Sequence, residues 1–251
     1  MKKPNNRFFA AFYHLLLSAL LIGSVATIIL LVWYPWPFSQ ISGGLHLLAL
    51  VASVDIVLGP LLTLVIYDIR KPQRQLRRDI LLILLIQCAG LAYGLVSVYL
   101  ARPVVVAFDG LQFKTVAAVD VAEAELAQAL APFQALPLNG PRFVGLRAAS
   151  NAEKFDVFAQ ALAGRDSSAR PLFWQSYAAS KTAVLAAAKP LSSLYQKYPD
   201  SRAEIARAIT ASGRASAQLV YLPIVAKDGS WTVLLDADSA MPLAYVEKDG
   251  F

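Results

Sequence analysis

An acidic residue, Asp55, lies inside a long apolar stretch and has the most unusual chemical setting in the sequence. Its immediate neighbours are Val54, Ile56, Val57 and Leu58. A carboxylate near the middle of a helix in lipid costs about 2.5 to 3.5 kcal/mol on insertion scales, so this one must face protein, water or a partner. Two interpretations stay open: Asp55 contacts a partner or another helix, or it is packed internally, protonated or hydrogen-bonded to Thr63, Gln87 or the backbone.

Gly59 and Pro60 follow Asp55 about one helical turn later. A proline removes one helix hydrogen bond and kinks the helix, and the hydroxyl of Thr63 can bond to a carbonyl freed in this way. The kink could shape a groove for a partner, although plain helix-bundle geometry explains it as well.

Histidine and cysteine, which supply most metal ligands and many catalytic groups, are scarce. His14 and His46 are the only histidines, and Cys88 is the only cysteine. A metal site would also need a carboxylate or thiolate at a suitable spacing, so we expect no metal and no cofactor. Cys88 lies in an apolar stretch and is interpreted as a small apolar residue.

Residues 103–251 contain neither histidine nor cysteine, which removes Ser-His, Cys-His and most zinc chemistry. Ser180 and Lys181 are neighbours on a predicted helix, so their side chains diverge, which favours a solvated face over a Ser-Lys dyad. The segment Asp236-Ala237-Asp238 matches an acidic metal–sugar pattern but is predicted to be a turn. We therefore expect no enzyme.

An aromatic set in the same region could mark a protein contact. It consists of Trp174, Tyr177, Tyr195 and Tyr198, around the Arg170-Pro171 dipeptide. Exposed aromatic residues and arginine favour protein interfaces, whereas buried ones form a core. The core interpretation is favoured, and the contact interpretation stays open.

The elements that must position these residues divide the chain into two unlike parts. Of the 251 residues, 57% are hydrophobic and 16% are charged, against about 25% charged in soluble domains. Residues 1–102 hold nine Lys and Arg and three Asp and Glu, whereas residues 103–251 hold fourteen of each kind. The net charge of +6 therefore belongs to the first part, and no basic folded face supports nucleic-acid binding.

Three apolar stretches reach the roughly 20 residues that a helix needs to cross a bilayer. They predict transmembrane helices at about residues 10–34, 45–67 and 80–101, which makes residues 1–102 a three-helix transmembrane region. The first stretch is too long for a signal peptide. It ends in Trp33-Tyr34-Pro35-Trp36-Pro37, which is typical of an interfacial aromatic belt followed by a proline stop.

Lysine and arginine in the short loops predict the orientation. Lys2, Lys3 and Arg7 precede the first helix, and residues 68–79 carry five basic residues, whereas residues 35–44 carry no charge. The positive-inside rule places both basic segments in the cytoplasm. Residues 103–251 then form a periplasmic domain of a bacterial inner-membrane protein.

Residues 103–251 are predicted to form an α+β domain with antiparallel strands. Alternation and turn signals place strands at residues 103–108, 111–117, 142–146, 218–226 and 230–236. The dipeptide Asp109-Gly110 and the tripeptide Lys227-Asp228-Gly229 predict hairpin turns.

Helices are predicted between these strands. One begins at Asp120 and ends near Leu130, and another covers residues 176–188. Capping boxes, Ser150 with Glu153 and Ser201 with Glu204, predict two more helix starts. After the first box, Phe155, Phe158 and Leu162 are spaced as one helical face, and after the second, Ile205 and Ile209 share a face.

Several segments resemble a known family. They are the W-Y-P-W-P run, V-D-I-V-L-G-P-L-L-T-L at residues 54–64, Gln87 through Ala92-Tyr93-Gly94, and, more loosely, residues 141–145, 164–174, 221–223 and 234–236. Together they resemble the TfpX/TfpZ family of type IV pilin accessory proteins. The resemblance implies an inner-membrane protein that assists the major type IV pilin, and it supplies no catalytic residues. Phe173-Trp174 departs from the family, in which an aromatic pair richer in tyrosine is usual.

The sequence is compatible with three functions. In the first, the protein is a non-enzymatic accessory protein that holds both the apolar helix and the globular head of a pilin subunit. Its candidate partner or bundle contacts are Asp55, Gly59, Pro60, Thr63, Gln87, Tyr93, Arg170 and Trp174. The alternatives are a membrane enzyme that modifies pilin or an envelope glycan, with Asp55 as its acid, and a sensor, which the short loop 68–79 disfavours. The sequence leaves the client pilin and the oligomeric state open.

Overall fold

The computed structural model describes residues 7–226 and 229–251, so Lys2, Lys3 and the turn residues Lys227 and Asp228 lie outside the described residues. The chain divides into two compact units. One unit comprises the chain up to Trp33 together with Gly44–Ala101, and the other comprises Tyr34–Gly43 together with Arg102–Phe251. We call them the helical unit and the sheet unit.

The helical unit consists of long apolar helices. They are α1 (Arg7–Val32), a second helix over Gly44–Ile66, and α5 (Gln73–Ala101). The second helix has three parts: α3 (Gly44–Ser53), a π-helical turn (Val54–Leu58) and α4 (Gly59–Ile66). A single turn between α1 and α3, α2 (Phe38–Ile41), belongs to the sheet unit. Within the described ranges, three helices are long and apolar enough to cross a membrane.

The sheet unit is built on a mixed sheet. Its strands are β1 (Pro103–Phe108), β2 (Phe113–Ala117), β3 (Arg142–Leu146), β4 (Trp174–Ser176), β5 (Lys189–Pro190), β6 (Leu219–Ala226), β7 (Gly229–Asp236) and β8 (Pro242–Val246). In the described part of the chain they are ordered β4-β3-β1-β2-β6-β7-β8, and β5 also pairs with β6. The predicted hairpins β1–β2 and β6–β7 are antiparallel, as expected.

The prediction of antiparallel strands is confirmed only in part. Strand β3 runs parallel to β1, and β6 runs parallel to β2. Parallel neighbours need long crossover connections rather than tight turns, and both β3 and β6 rejoin the sheet after such connections. The spacing of strands in the sequence shows the turns but not the direction in which a distant strand returns.

The helices of the sheet unit are short. They are α6 (Lys154–Leu162), α7 (Lys181–Ala187), α8 (Leu191–Lys197) and α9 (Arg202–Ser212). The helix predicted from Asp120 to Leu130 is instead a pair of 3-10 segments, Ala118–Asp120 and Glu123–Gln128. The N–H of Ala122 bonds to the carbonyl of Ala169 at 2.9 Å, so the backbone here pairs across the fold rather than along a helix.

The two predicted capping boxes form only in part. The carboxylate of Glu153 accepts a hydrogen bond from the N–H of Ser150 at 2.8 Å, but the helix begins only at Lys154. Ser201 precedes α9 as predicted, yet its side chain makes no capping bond. Ile205 is fully buried on α9, because the apolar face rather than the cap places this helix.

Both faces of the sheet are covered by apolar residues. Along β1, Val105 and Ala107 belong to one buried cluster, and Val106 and Phe108 belong to another. Alternation along a strand sends successive side chains to opposite faces, so this pattern marks a strand buried on both sides.

The segment between the first two long helices is part of this core. Phe38 and Ile41 are buried in the same cluster as Phe108, Phe113 and Trp231. Tyr34 is fully buried as well, and burial raises the pKa of its hydroxyl. Residues 34–43 are therefore a structural component of the sheet unit rather than a free loop.

Candidate functional site

A π-helical turn at Val54–Leu58 lies directly before Gly59 and Pro60. A π turn pairs each carbonyl with the N–H five residues later. For Asp55 that residue is Pro60, which has no N–H to donate. Pro60 lies in the first turn of α4, directly after a π turn that the sequence did not suggest.

The side chain of Gln87, on α5, reaches this carbonyl. Its Nε2 donates a hydrogen bond to the Asp55 carbonyl oxygen at 3.4 Å, and its Oε1 lies 2.8 Å from Nε2 of His14 on α1. The amide oxygen can only accept, so His14 carries its proton on Nε2. Nδ1 of His14 lies 2.6 Å from the hydroxyl of Thr63, which can donate or accept a hydrogen bond.

Gly59 makes room for this chain of hydrogen bonds. A Cβ atom at position 59 would overlap Nε2 of Gln87 and lie 3.2 Å from Nε2 of His14. The glycine therefore lets the polar side chains of α1 and α5 meet at the second helix. We call His14, Asp55, Gly59, Thr63 and Gln87 the polar cluster.

The carboxyl group of Asp55 has no hydrogen-bond partner in the polar cluster. Asp55 is 5% exposed, and within the described residues no hydrogen bond or ion pair reaches its carboxyl oxygens. Its oxygens are not among the fully enclosed, unbonded side-chain atoms of the described residues, and Asp55 lines two cavities. This carboxyl can therefore accept a hydrogen bond or an ion pair from a donor that enters the helical unit.

Two apolar cavities border Asp55. The first, of about 110 Å³, is also lined by residues of α1 and α5, among them Leu17, Leu21 and Cys88. The second, of about 220 Å³, lies between α3 and α5 and is lined by Val51, Tyr93 and Gly94. Both have apolar walls with Asp55 as the acidic group.

The structure brings together most of the candidate residues that the sequence singled out in the first part of the chain. Asp55, Gly59, Thr63 and Gln87 form the polar cluster, and Pro60 forms part of its backbone wall. Tyr93 is largely exposed and lines the second cavity.

His14 is the member whose role the sequence analysis missed. It was considered only as a metal ligand, and among the described residues no three His, Cys, Asp or Glu side chains lie close enough to hold a metal ion. A histidine in an uncharged apolar helix needs hydrogen-bond partners. Thr63 and Gln87 are among the few polar side chains in the other two apolar stretches, and that scarcity was the available signal.

Arg170 and Trp174 lie in the sheet unit and are buried there. Arg170 pairs with Glu125 and Asp156, each at 2.7 Å. Burial lowers the pKa of Arg170, but its hydrogen bonds to the two carboxylates raise it by more. Trp174 is 1% exposed, and its Nε1 donates to the carbonyl of Ser168 at 2.8 Å.

The other patterns weighed for catalysis have structural roles. Ser180 Oγ accepts a hydrogen bond from Gln175 at 3.0 Å and packs beneath Gly145. Asp236 accepts the N–H groups of Asp238 and Ser239, at 3.0 and 2.8 Å, which closes a turn as predicted. These bonds lower the pKa of Asp236.

The fold and the polar cluster define a protein with an apolar helical unit, a mixed-sheet unit, and a buried carboxyl as its most distinctive group. A family model described as "Fimbrial assembly protein FimB" matches residues 3–43. "Fimbrial assembly protein, serogroup E1" of Dichelobacter nodosus is 32% identical over 241 residues, which cover 95% of this chain and 93% of that protein. The chain therefore belongs to the family of fimbrial assembly proteins.

Two further relatives come from the same organism. "Fimbrial assembly protein, serogroup I" is 31% identical over 95% of this chain and 93% of its own length. "Fimbrial assembly protein, serogroups C1 and C2" is 36% identical over 46% of this chain and 88% of its own length. No solved structure matches the chain significantly.

Proposed function

We propose that this protein is a non-enzymatic inner-membrane accessory protein that holds a type IV pilin subunit, the major pilin, before the subunit joins the fibre. The observation that carries the proposal is the similarity to named fimbrial assembly proteins over 95% of the chain. The finer assignment to TfpX/TfpZ accessory proteins is supported by the V-D-I-V-L-G-P-L-L-T-L segment, which contributes Asp55, Gly59 and Thr63 to the polar cluster.

The length and apolar character of the three long helices support a membrane location. Residues 34–43 and 102–251 fold as one unit, so the segments that follow α1 and α5 belong on the same side of the bilayer. The connection between α4 and α5 and the start of α5 carry Arg70, Lys71, Arg74, Arg77 and Arg78. The positive-inside rule assigns that end to the cytoplasm and the sheet unit to the periplasm.

Reporter fusions test this orientation. An enzyme that is active only in the periplasm is fused after residue 102, and separately within residues 68–72. Activity is expected from the first fusion alone. Activity from the second fusion and none from the first would place the sheet unit in the cytoplasm, where it could not meet a pilin head.

Asp55 is proposed as the contact to the apolar helix of the pilin subunit. Its carboxyl has no internal partner among the described residues, and the two cavities beside it have apolar walls. An apolar helix that carries one hydrogen-bond donor at the depth of Asp55 would match both the carboxyl group and the apolar cavity walls. A donor on that helix would supply the hydrogen bond that the described residues do not give to the Asp55 carboxyl, so formation of this bond favours the bound subunit.

The substitution Asp55→Ala tests this contact. It removes both acceptor oxygens, and we expect fewer fimbriae by electron microscopy at an unchanged amount of the protein. The matched control is Ser53→Ala, because the Ser53 hydroxyl bonds within its own helix, to the Leu50 carbonyl. Normal fimbriae in a deletion strain, with no pilin crosslinked to the protein, would refute the function as a whole.

The non-enzymatic character has a separate test. The mass of purified pilin is compared with and without the gene, and we expect the two masses to be equal. A mass difference would favour the alternative, an enzyme that modifies pilin with Asp55 as its acid.

A further inference from the structure

A third cavity of the helical unit, of about 320 Å³, opens between α1 and α5. Its walls are mainly apolar and include Ala10, Tyr13 and Leu17 of α1 and Ile80, Ile83 and Leu84 of α5. Tyr13, Leu17 and Leu84 are 68%, 67% and 54% exposed. The cavity is therefore open to the surroundings of the helices.

The polar side chains in the wall of this cavity are bonded to one another. His14 lies 2.6 Å from the hydroxyl of Thr63 and 2.8 Å from the amide oxygen of Gln87. The amide nitrogen of Gln87 donates to the carbonyl of Asp55. The inner part of the cavity therefore suits an apolar occupant, which needs no hydrogen-bond partner there.

One end of the cavity lies where the chain passes from α4 to α5. Ala10 is in the first turn of α1, Tyr67 directly follows α4, and Ile80 lies about two turns after the start of α5. We call this end of the helical unit the basic end, because residues 67–79 contain five Lys and Arg and only two Asp.

The two acidic residues of this segment have local partners. Asp79 pairs with Lys71 at 2.7 Å, and the carboxyl of Asp68 accepts the N–H of Arg70 at 2.9 Å. Within the described residues, no carboxylate pairs with the other arginines of the segment, which are Arg74, Arg77 and Arg78. The basic end therefore keeps a net positive charge.

Arg77 is on the side of α5 that forms the cavity wall. It precedes Ile80 by three residues and Leu84 by seven, and residues at these spacings share one side of a helix. Helical side chains lean toward the helix N-terminus, which in α5 is the basic end. Tyr67 lines the cavity at the same end, and its hydroxyl makes no hydrogen bond within the described residues. Guanidinium and hydroxyl groups are donors that suit a phosphate.

We propose that this cavity binds an anionic phospholipid, with one acyl chain between α1 and α5 and its phosphate at the basic end, against Arg77. An acyl chain matches the apolar walls, and a headgroup without an ammonium group matches the net positive charge. A free phosphate ion would match the arginine but not the walls. Such a site requires the membrane location proposed above, and it does not depend on which subunit the protein holds.

Native mass spectrometry of the full-length protein in detergent, titrated with lipid, tests this site. Phosphatidylglycerol, which is anionic, is compared with phosphatidylethanolamine, which is zwitterionic, at identical acyl chains. We expect phosphatidylglycerol to bind about fivefold more tightly or better. Equal affinity for the two lipids would overturn the proposal.

Arg77→Gln is expected to weaken the binding of phosphatidylglycerol by about fivefold. The matched control is Arg78→Gln, which removes the same charge from the next residue but from another side of α5, and it should leave the affinity unchanged. An equal loss in both variants would reduce the effect to a general attraction between the basic segment and anionic lipid, and would overturn the site.

Ala10→Trp tests the apolar part of the site. The larger side chain enters the cavity, and we expect the preference for phosphatidylglycerol to be lost. Ala19→Trp is the control, because Ala19 is an exposed alanine of the same helix that does not line this cavity. The Tm in detergent shows whether each variant is folded. A folded Ala10→Trp variant that binds phosphatidylglycerol as tightly as the wild type would overturn the proposal, and the arginine pair decides it if the variant is unfolded.

Discussion

The ring of Phe38 packs edge-on against the ring of Tyr245, with centroids 5.8 Å apart and planes at 73°. Phe38 lies in the short segment between the first two long apolar helices, and Tyr245 lies in β8, the last strand of the sheet. The contact therefore joins a segment near the beginning of the chain to its end. It makes residues 34–43 a part of the core that stabilises the sheet unit.

Replacing Phe38 with alanine should destabilise the sheet unit. Truncation of a buried phenylalanine typically costs about 3–5 kcal/mol, and we expect a loss of about 3 kcal/mol, measured as a lower Tm of the purified protein in detergent. Gln40→Ala, at an exposed position of the same segment, is the control and should leave Tm unchanged. An unaltered Tm for Phe38→Ala would show that the segment contributes nothing to the core.

Two glycines of α5 should respond differently to alanine. A Cβ at Gly94 would lie 2.6 Å from Cγ1 of Val51 on α3, whereas a Cβ at Gly90 would meet nothing within 4 Å. Valine is stiff about χ1, so Gly94→Ala must separate the helices, at a cost of about 1–3 kcal/mol. Gly90→Ala should be neutral or stabilise by about 0.5–1 kcal/mol through helix propensity. The Tm in detergent is measured for both variants. Equal changes in Tm would contradict the close approach of Gly94 to Val51.

Removing the amide of Gln87 should weaken the helical unit. Gln87→Met keeps the length of the side chain but leaves the Asp55 carbonyl and Nε2 of His14 without the partners that Gln87 supplies. Each buried polar group that loses its hydrogen-bond partner costs about 1–3 kcal/mol, which should lower the Tm. Ser97→Ala is the control, since the Ser97 hydroxyl bonds to the Tyr93 carbonyl of its own helix. A drop of equal size in both variants would argue against the polar cluster.

Acid should destabilise the sheet unit. The hydrogen bond from Arg147 holds the pKa of Glu153 well below its usual range. Burial raises the pKa of Asp166, but hydrogen bonds from Lys114 and Ser168 lower it by more. A carboxylate with a lowered folded-state pKa stabilises fully above its unfolded pKa of about 4, and the stabilisation is lost as the pH falls through the folded value.

The Tm of the sheet unit should therefore change little between about pH 7 and pH 5 through these groups, and fall below about pH 4. Glu153→Gln should lower the Tm at neutral pH and make the acid-induced fall shallower. Unfolding followed by circular dichroism at a series of pH values measures this. A fall of the same steepness in the variant and the wild type would exclude Glu153 as a contributor.

The sequence alone determined the features that depend on short stretches of chain. The three apolar helices follow from runs of about 20 apolar residues, and the β1–β2 and β6–β7 hairpins follow from alternating strands on either side of turn residues. Asp55 was recognisable from its neighbours, but the side-chain bonds suggested for it do not form, because Gln87 bonds to the Asp55 main-chain carbonyl and Thr63 bonds to His14. Each of these inferences rests on composition or on spacing within one element.

The tertiary structure decided which elements meet. Four features depend on residues far apart in the chain. They are the bonds of His14 with Thr63 and Gln87, the place of Phe38 in the sheet core, the parallel pairs β1–β3 and β2–β6 and the exposure of the apolar residues of α6. The spacing along one element fixes which side chains share a face. It does not fix what that face packs against, because that depends on how distant segments together bury apolar surface and satisfy their hydrogen bonds.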